Sequence, residues 1–297
     1  MSTRAKVVTG FGVYVALIIV FLAAFGGERP DKDAPHAFKP QNEFKLDDWV
    51  DLGIFSINKA VLYVIIAGVL TVGTMLWIAN RMQARPNRVQ TAVEMLFTTM
   101  RDTITRGNMD PKMAAKWFPF IGALFLFIWY SNLIGYIPLP TNTEHKIDGG
   151  SIPSFALYAA TANLSIPLTL AIVVFLSYTI EGIRKKGVFG YLKSLVPSGV
   201  SGGMAGFIFV LELFSNIMRL MSLSVRLFAN ILAGHLIILF MAGGLAVLLG
   251  TAALGIITLP AGVALFLFEV GLIATLQAFI FATLTAIYLG SAVADEH

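Results

Sequence analysis

From Phe207 to Ser291 the chain runs for 85 residues with only four charges, Glu212, Arg219, Arg226 and Glu269. A stretch that apolar belongs in lipid, where every backbone polar group must be satisfied inside the segment and only helices or closed barrels are allowed. Gly243, Gly244, Gly250, Gly255 and Pro260 mark a turn near its middle. That leaves two helices of roughly 30 to 36 residues each, where a bilayer needs only about 20. Helices of that length must tilt strongly or lie partly along the membrane.

Further spans are read at Lys59–Met82, Trp117–Ile137 and Pro153–Ile180. Val7–Phe25 adds an N-terminal apolar run behind Arg4 and Lys6, taken here as a retained helix, with a signal-peptide core as the alternative. The expected architecture is therefore all-α and polytopic. It has about five core helices plus an extra N-terminal one, and the last two core helices are long and strongly tilted. Residues 1–56 form an N-terminal helix and polar external segment, and 57–297 the membrane-embedded domain. "NRVQTAVEMLFTTMRDTI" has helical periodicity and reads as an amphipathic surface helix.

Only 13% of the 297 residues are charged, about half the usual share in soluble domains. The net charge of +4 sits in short loops beside spans and does not suggest nucleic acid. No cysteine is present, which excludes disulfides and thiolate chemistry. Four scattered histidines form no metal-ligand pattern, and there is no phosphate loop or nucleophile motif. Segments 81–116 and 181–204 are basic and should be cytoplasmic, so 26–58 and 138–151 should lie outside. The C-terminal "VADEH" is then cytoplasmic.

The polar residues inside the apolar spans carry the functional question. At 3.6 residues per turn, Glu212, Arg219 and Arg226 share one helix face, with Ser215, Ser222 and Asn230 close to it. His235, nine residues past Arg226, points nearly the opposite way. A mid-span charge costs about 2.5 to 3.5 kcal/mol on insertion scales, and so calls for a partner or water. Several structural readings stay open. Arg226 as a pin on a buried acid, Arg219 snorkelling, a Glu212–Arg219 pair and His235 as a packing histidine are each consistent with the sequence. Glu269, the only acid of the last helix, is expected near His235, where the two could exchange protons near neutral pH. Asn230 and Gln277 could be interhelical hydrogen-bond glue.

"SLSVRLFANILAGHL", "LQAFIFATLTAIYL", "FPFIGALFLFIWYSNLIGYIP" and "LELFSNIMRLMSLS" together resemble subunit a of F-type ATP synthases. The likeness covers about Trp49 to His297. It implies a stator beside a rotating ring of c subunits, a peripheral stalk of subunit b, and the remainder of the complex in a bacterial plasma membrane. The chain would not be catalytic by itself. The resemblance puts Arg226 at the essential arginine, Asn230 one turn on, and Gln277 and Tyr288 in the last helix. Glu212, with Ser222, falls in the cytoplasmic half-channel. His235, Glu269 and Asn163 fall in the outer half-channel, Asn163 standing where many members carry aspartate. Arg219 stands where a lysine can occur. Glu269 precedes Gln277 by eight residues where seven is expected, and Val270 holds the expected place. No cofactor is implied. The transported ion is H⁺ in preference to Na⁺, since histidine suits a proton relay. The alternative is a self-contained ion-coupled transporter, which predicts an internal repeat that the sequence does not show.

Overall fold

A computed structural model describes residues 46, 48–51, 56–83, 87–146, 153–196, 200, 202–241 and 255–294. The N-terminal apolar run Val7–Phe25 lies outside them. A short hairpin of β1 (Asp48–Asp51) and β2 (Ser56–Asn58) precedes α1 (Lys59–Arg81). Then come α2 (Arg88–Thr98), its π-helical continuation Thr99–Arg106, and α3 (Pro111–Ile134). A second hairpin pairs β3 (Leu139–Lys146) with β4 (Pro153–Ala156). It leads to α4 (Ser165–Lys186), α5 (Val188–Lys193) and α6 (Gly203–Leu239). The chain closes with α7 (Gly255–Phe268), a π-turn (Glu269–Ile273) and α8 (Ala274–Val293). Among the described residues five helices are long and apolar enough to cross a membrane: α1, α3, α4, α6 and the run Pro260–Val293. The class is all-α and polytopic, and among the described residues strands are confined to two hairpins, one ahead of α1 and one between α3 and α4.

The sequence reading of a span at Pro153–Ile180 is corrected. Pro153–Ala156 pairs with β3, a single 3-10 turn follows at Ala160–Ala162, and the helix begins only at Ser165. The cause is local. Asn163 turns back on itself, its Oδ1 accepting the Ser165 backbone N–H at 3.1 Å, and this Asx-type turn breaks the apolar run "SFALYAATA" from the helix. At its other end α4 continues past Ile180 to Lys186. It stops at Gly187, whose φ of 75° is open to glycine and strained for other residues. Arg184, Lys185 and Lys186 occupy the last turn, where cations meet the negative end of the helix dipole.

The amphipathic helix appears where its periodicity puts it. Asn87 caps it by accepting the Gln90 N–H at 2.7 Å, and Gln90, Met100 and Ile104 are buried on its inner side. α3 is the most enclosed span, half of it buried, against 17% for α1. It lies against α1 and α8, and α8 lies also against α4. The chain divides into two compact units: Leu46–Leu232 with the residues from Leu272 onward, and a second that includes Ala233–Gly271.

Candidate functional site

In the first unit, α6 presents a polar pair to a cavity. Arg219 Nη2 donates to Glu212 Oε1 at 3.1 Å across two turns, the spacing that stacks side chains on one face. The Arg219 guanidinium also lies 5.8 Å from the centre of the Tyr288 ring, a cation–π distance. Tyr178 meets Tyr288 edge-on at 5.9 Å. Asn216 Oδ1 accepts long contacts, 3.5 Å each, from Tyr178 and Arg219. Glu212, Asn216, Arg219, Tyr178, Tyr288 and Lys186 line a cavity of about 320 Å³. A space this polar and this large has room for several waters. Sequence reasoning missed Tyr178 and Asn216. Asn216 sits one turn beyond Glu212 in an apolar helix, a signal that could have found it.

Arg226 is different. Seven residues turn a straight helix through about 20° less than two full turns, so the stripe that begins at Glu212 drifts, and Arg226 emerges on the exposed face of α6. It makes no ion pair or hydrogen bond among the described residues. Its exposed neighbours are Met218, Met221 and Val225, with Ser222 and Asn230 the exposed polar groups one turn to either side. An always-ionised guanidinium thus stands on an apolar surface with no countercharge among the described residues.

A buried polar group holds α3 to α8 in the same unit. Trp129 Nε1–H donates to Thr275 Oγ1 at 3.0 Å, and Asn132 Nδ2 donates to the Ala274 carbonyl at 3.3 Å. Asn132 Oδ1 accepts from Thr161 Oγ1 at 2.7 Å. Gln277 is buried one turn further along α8. None of Trp129, Asn132, Thr161 and Thr275 stood out in the sequence, since pairing across 146 residues leaves no periodic trace. Asn163 is half-buried, with Ser165 and Tyr158 as its neighbours. Burial pushes the Tyr158 hydroxyl up to about 12, the Asn163 side chain opposes that shift, and Tyr63 adds to it.

The second unit brings His235 and Glu269 into its interior, 1% and 8% exposed. The Glu269 carboxyl sits directly on Gly234, so that any side chain there would collide with it. Gly234 is a site residue that sequence reasoning passed over. Glu269 opens the π-turn, and a π-turn takes one residue more than an α-turn.

The family model described as ATP synthase A chain matches residues 61–290. The chain belongs to that family. Among curated relatives, ATP synthase subunit a of Rhizobium rhizogenes is 34% identical over 250 residues, covering 82% of this chain and 92% of the relative. Its counterparts in Maricaulis maris and Hyphomonas neptunium are each 32% identical, covering 87% and 88% of this chain and 98% of themselves. The match opens within the first turn of α1, and every site residue above falls inside it. Membership and the five apolar helices make this a membrane protein of ATP synthesis and ion transport.

Proposed function

We propose that this chain is the proton-channel stator subunit of the Fo sector of a rotary ATP synthase. It sits in a bacterial plasma membrane with residues 57–297 embedded and its C-terminus cytoplasmic. Its partners are a ring of c subunits, the subunit b stalk and the rest of the complex. The chain has no catalytic site of its own and needs no cofactor. The observation that carries the reading is Arg226, which stands on an exposed apolar face of α6 with no ion pair or hydrogen bond among the described residues. A charge that costly without an internal partner calls for an external one, and a mobile carboxylate on a neighbouring subunit answers to it.

Protons enter from outside by a path that includes Asn163, His235 and Glu269, and reach a ring carboxylate. Once neutral, that carboxylate faces lipid at far lower cost than when charged. After nearly a full turn it releases its proton into the water-holding cavity beside Glu212, on the side of Ser222, and is drawn to Arg226. Arginine suits the place because its pKa above 12 keeps it from relaying the proton or losing its charge. It blocks a direct leak and lowers the cost of an ionised carboxylate passing by. Asn230, exposed one turn beyond Arg226, supports the guanidinium when the ring carboxylate arrives, and Gln277, buried in α8, steadies that helix. Arg219 and Tyr288 hold Glu212 at the cavity wall. His235 and Glu269, each buried, favour H⁺ over Na⁺ as the carried ion, since histidine titrates near neutral pH.

The test is Arg226→Ala in the assembled complex. ATP-driven proton pumping in vesicles should vanish while the subunits still copurify. Pumping at the wild-type rate would refute the mechanism.

A further inference from the structure

Between Gly182 and Leu211 the chain carries four cations, Arg184, Lys185, Lys186 and Lys193, and no acid. All four lie at the end of the α4 span or on α5, the short helix that follows it. Two are taken up by the protein itself. Lys185 Nζ donates to the Val293 carbonyl at 2.8 Å, and Lys186 is half-buried at the wall of the Glu212 cavity. Arg184 and Lys193 are exposed and make no ion pair or hydrogen bond among the described residues. Glu181, the acid just before them, is bonded to Lys116.

α5 is held in one orientation. Gly187, at a φ of 75°, reverses the chain after α4, and the Tyr191 N–H donates to the Gly187 carbonyl at 2.8 Å. The Tyr191 ring lies on buried Gly182 of α4, where any side chain would collide with it. Gly190, Tyr191 and Ser194 are half-buried on this inner side, and Val188, Phe189, Leu192 and Lys193 are exposed on the other. At about 100° per residue those four make one continuous face. Phe189 is 88% exposed, more than any other large apolar side chain among the described residues. A helix of six residues is only about 9 Å long, so it stays near the membrane boundary where α4 ends.

A face with an open aromatic ring, two aliphatic side chains and free cations at the end of a span has two needs. An acidic protein segment would answer the charges alone. An anionic phospholipid answers both, because its acyl chains take Phe189, Val188 and Leu192 while its phosphate takes Arg184 or Lys193. We infer that the outer face of α5, together with Arg184, is a docking surface for anionic phospholipids. This needs only that α4 spans the membrane, and it stands apart from the proton path.

The experiment uses the full-length chain in the assembled complex, reconstituted into vesicles of equimolar phosphatidylcholine and phosphatidylglycerol. The photoreactive analogue p-benzoylphenylalanine replaces Phe189, and the lipid adducts formed on illumination are identified by mass spectrometry. Phosphatidylglycerol adducts should exceed their bulk share by roughly fivefold or more, since each cation near an anionic surface is worth about fivefold in affinity. Lys193→Gln should lower that excess, and Arg184→Gln with Lys193→Gln should bring it down to the bulk ratio. Arg184→Lys with Lys193→Arg keeps both charges and should keep the excess. Four results would overturn the inference: adducts at the bulk ratio in the parent chain, an excess that survives the double glutamine variant, an excess lost in the charge-keeping variant, or adducts formed with a protein subunit in place of lipid.

Discussion

Arg219 reaches back two turns to Glu212 at 3.1 Å, so the two charges that precede Arg226 on α6 are spent on each other. Both are about one-third exposed, which keeps the pair's contribution to stability small. Its use is to hold a carboxylate at a cavity wall. Arg219→Gln should therefore slow ATP-driven pumping by less than roughly tenfold, as the carboxylate remains. Arg226→Gln should abolish pumping. Dye-quenching rates in inverted vesicles compare the two, and equal losses would show that the arginines are not functionally distinct.

Gly234 gives the Glu269 carboxyl its seat. Gly234→Ala forces a collision, with an overpacking cost of about 1 to 3 kcal/mol. Assembly yield should fall, and passive conduction with it. Adding Glu269→Ala should restore yield without restoring conduction. Should the double variant assemble no better than Gly234→Ala, the carboxyl is not what the new methyl meets.

The absence of native cysteine makes single-cysteine labelling clean. Cysteine at position 212 or 216, on the cavity wall, should react with a membrane-impermeant thiol reagent from the cytoplasmic face. Position 235 should react from the outer face only. Labelling of 212 from outside alone would reverse the assigned topology.

His235 and Glu269 form one path if the proposed relay holds. His235→Ala and Glu269→Ala should each slow passive conduction, and the double variant should lose less than the sum, since one broken link already disables the path. Exchanging the two residues should recover part of the flux. Additive losses with no recovery would make them separate sites.

Tyr158 offers a pH test outside the spans. Its folded-state value, raised to about 12 by burial, exceeds the unfolded value near 10. The folded chain therefore holds this proton more tightly than the unfolded chain. The effect on stability is flat below about pH 10 and turns unfavourable as pH rises from about 10 toward 12, as the unfolded chain ionises and the folded chain resists. Tyr158→Phe should remove that part of the alkaline decline in the complex's thermal midpoint. An unchanged decline would mean that Tyr158 does not contribute.

The spans were legible because long apolar runs leave little choice in lipid. The Glu212–Arg219 pair was legible because a spacing of seven puts two residues on one face. The start of α4 was not, because "SFALYAATA" is apolar enough for a span and only the Asn163 turn separates it from one. Glu269 was legible as the acid of the last helix, yet the π-turn that it opens leaves no mark in the apolar pattern around it. Trp129 and Thr275 were silent, as hydrogen bonds between distant helices follow from packing and not from spacing. Gly234 was overlooked because its contribution is an absent side chain.

The exposed face of α6 carries one more consequence. Phe214, Met218, Met221 and Val225 offer a passing partner neither hydrogen-bond donors nor acceptors. Methionine side chains also reshape at little cost. On the proposed function, sliding along this apolar part of the face breaks no directional bond, and drag falls on the short polar stretch of Ser222, Arg226 and Asn230. The surface then behaves as a greased bearing with one catch, and torque is lost chiefly where charge is exchanged.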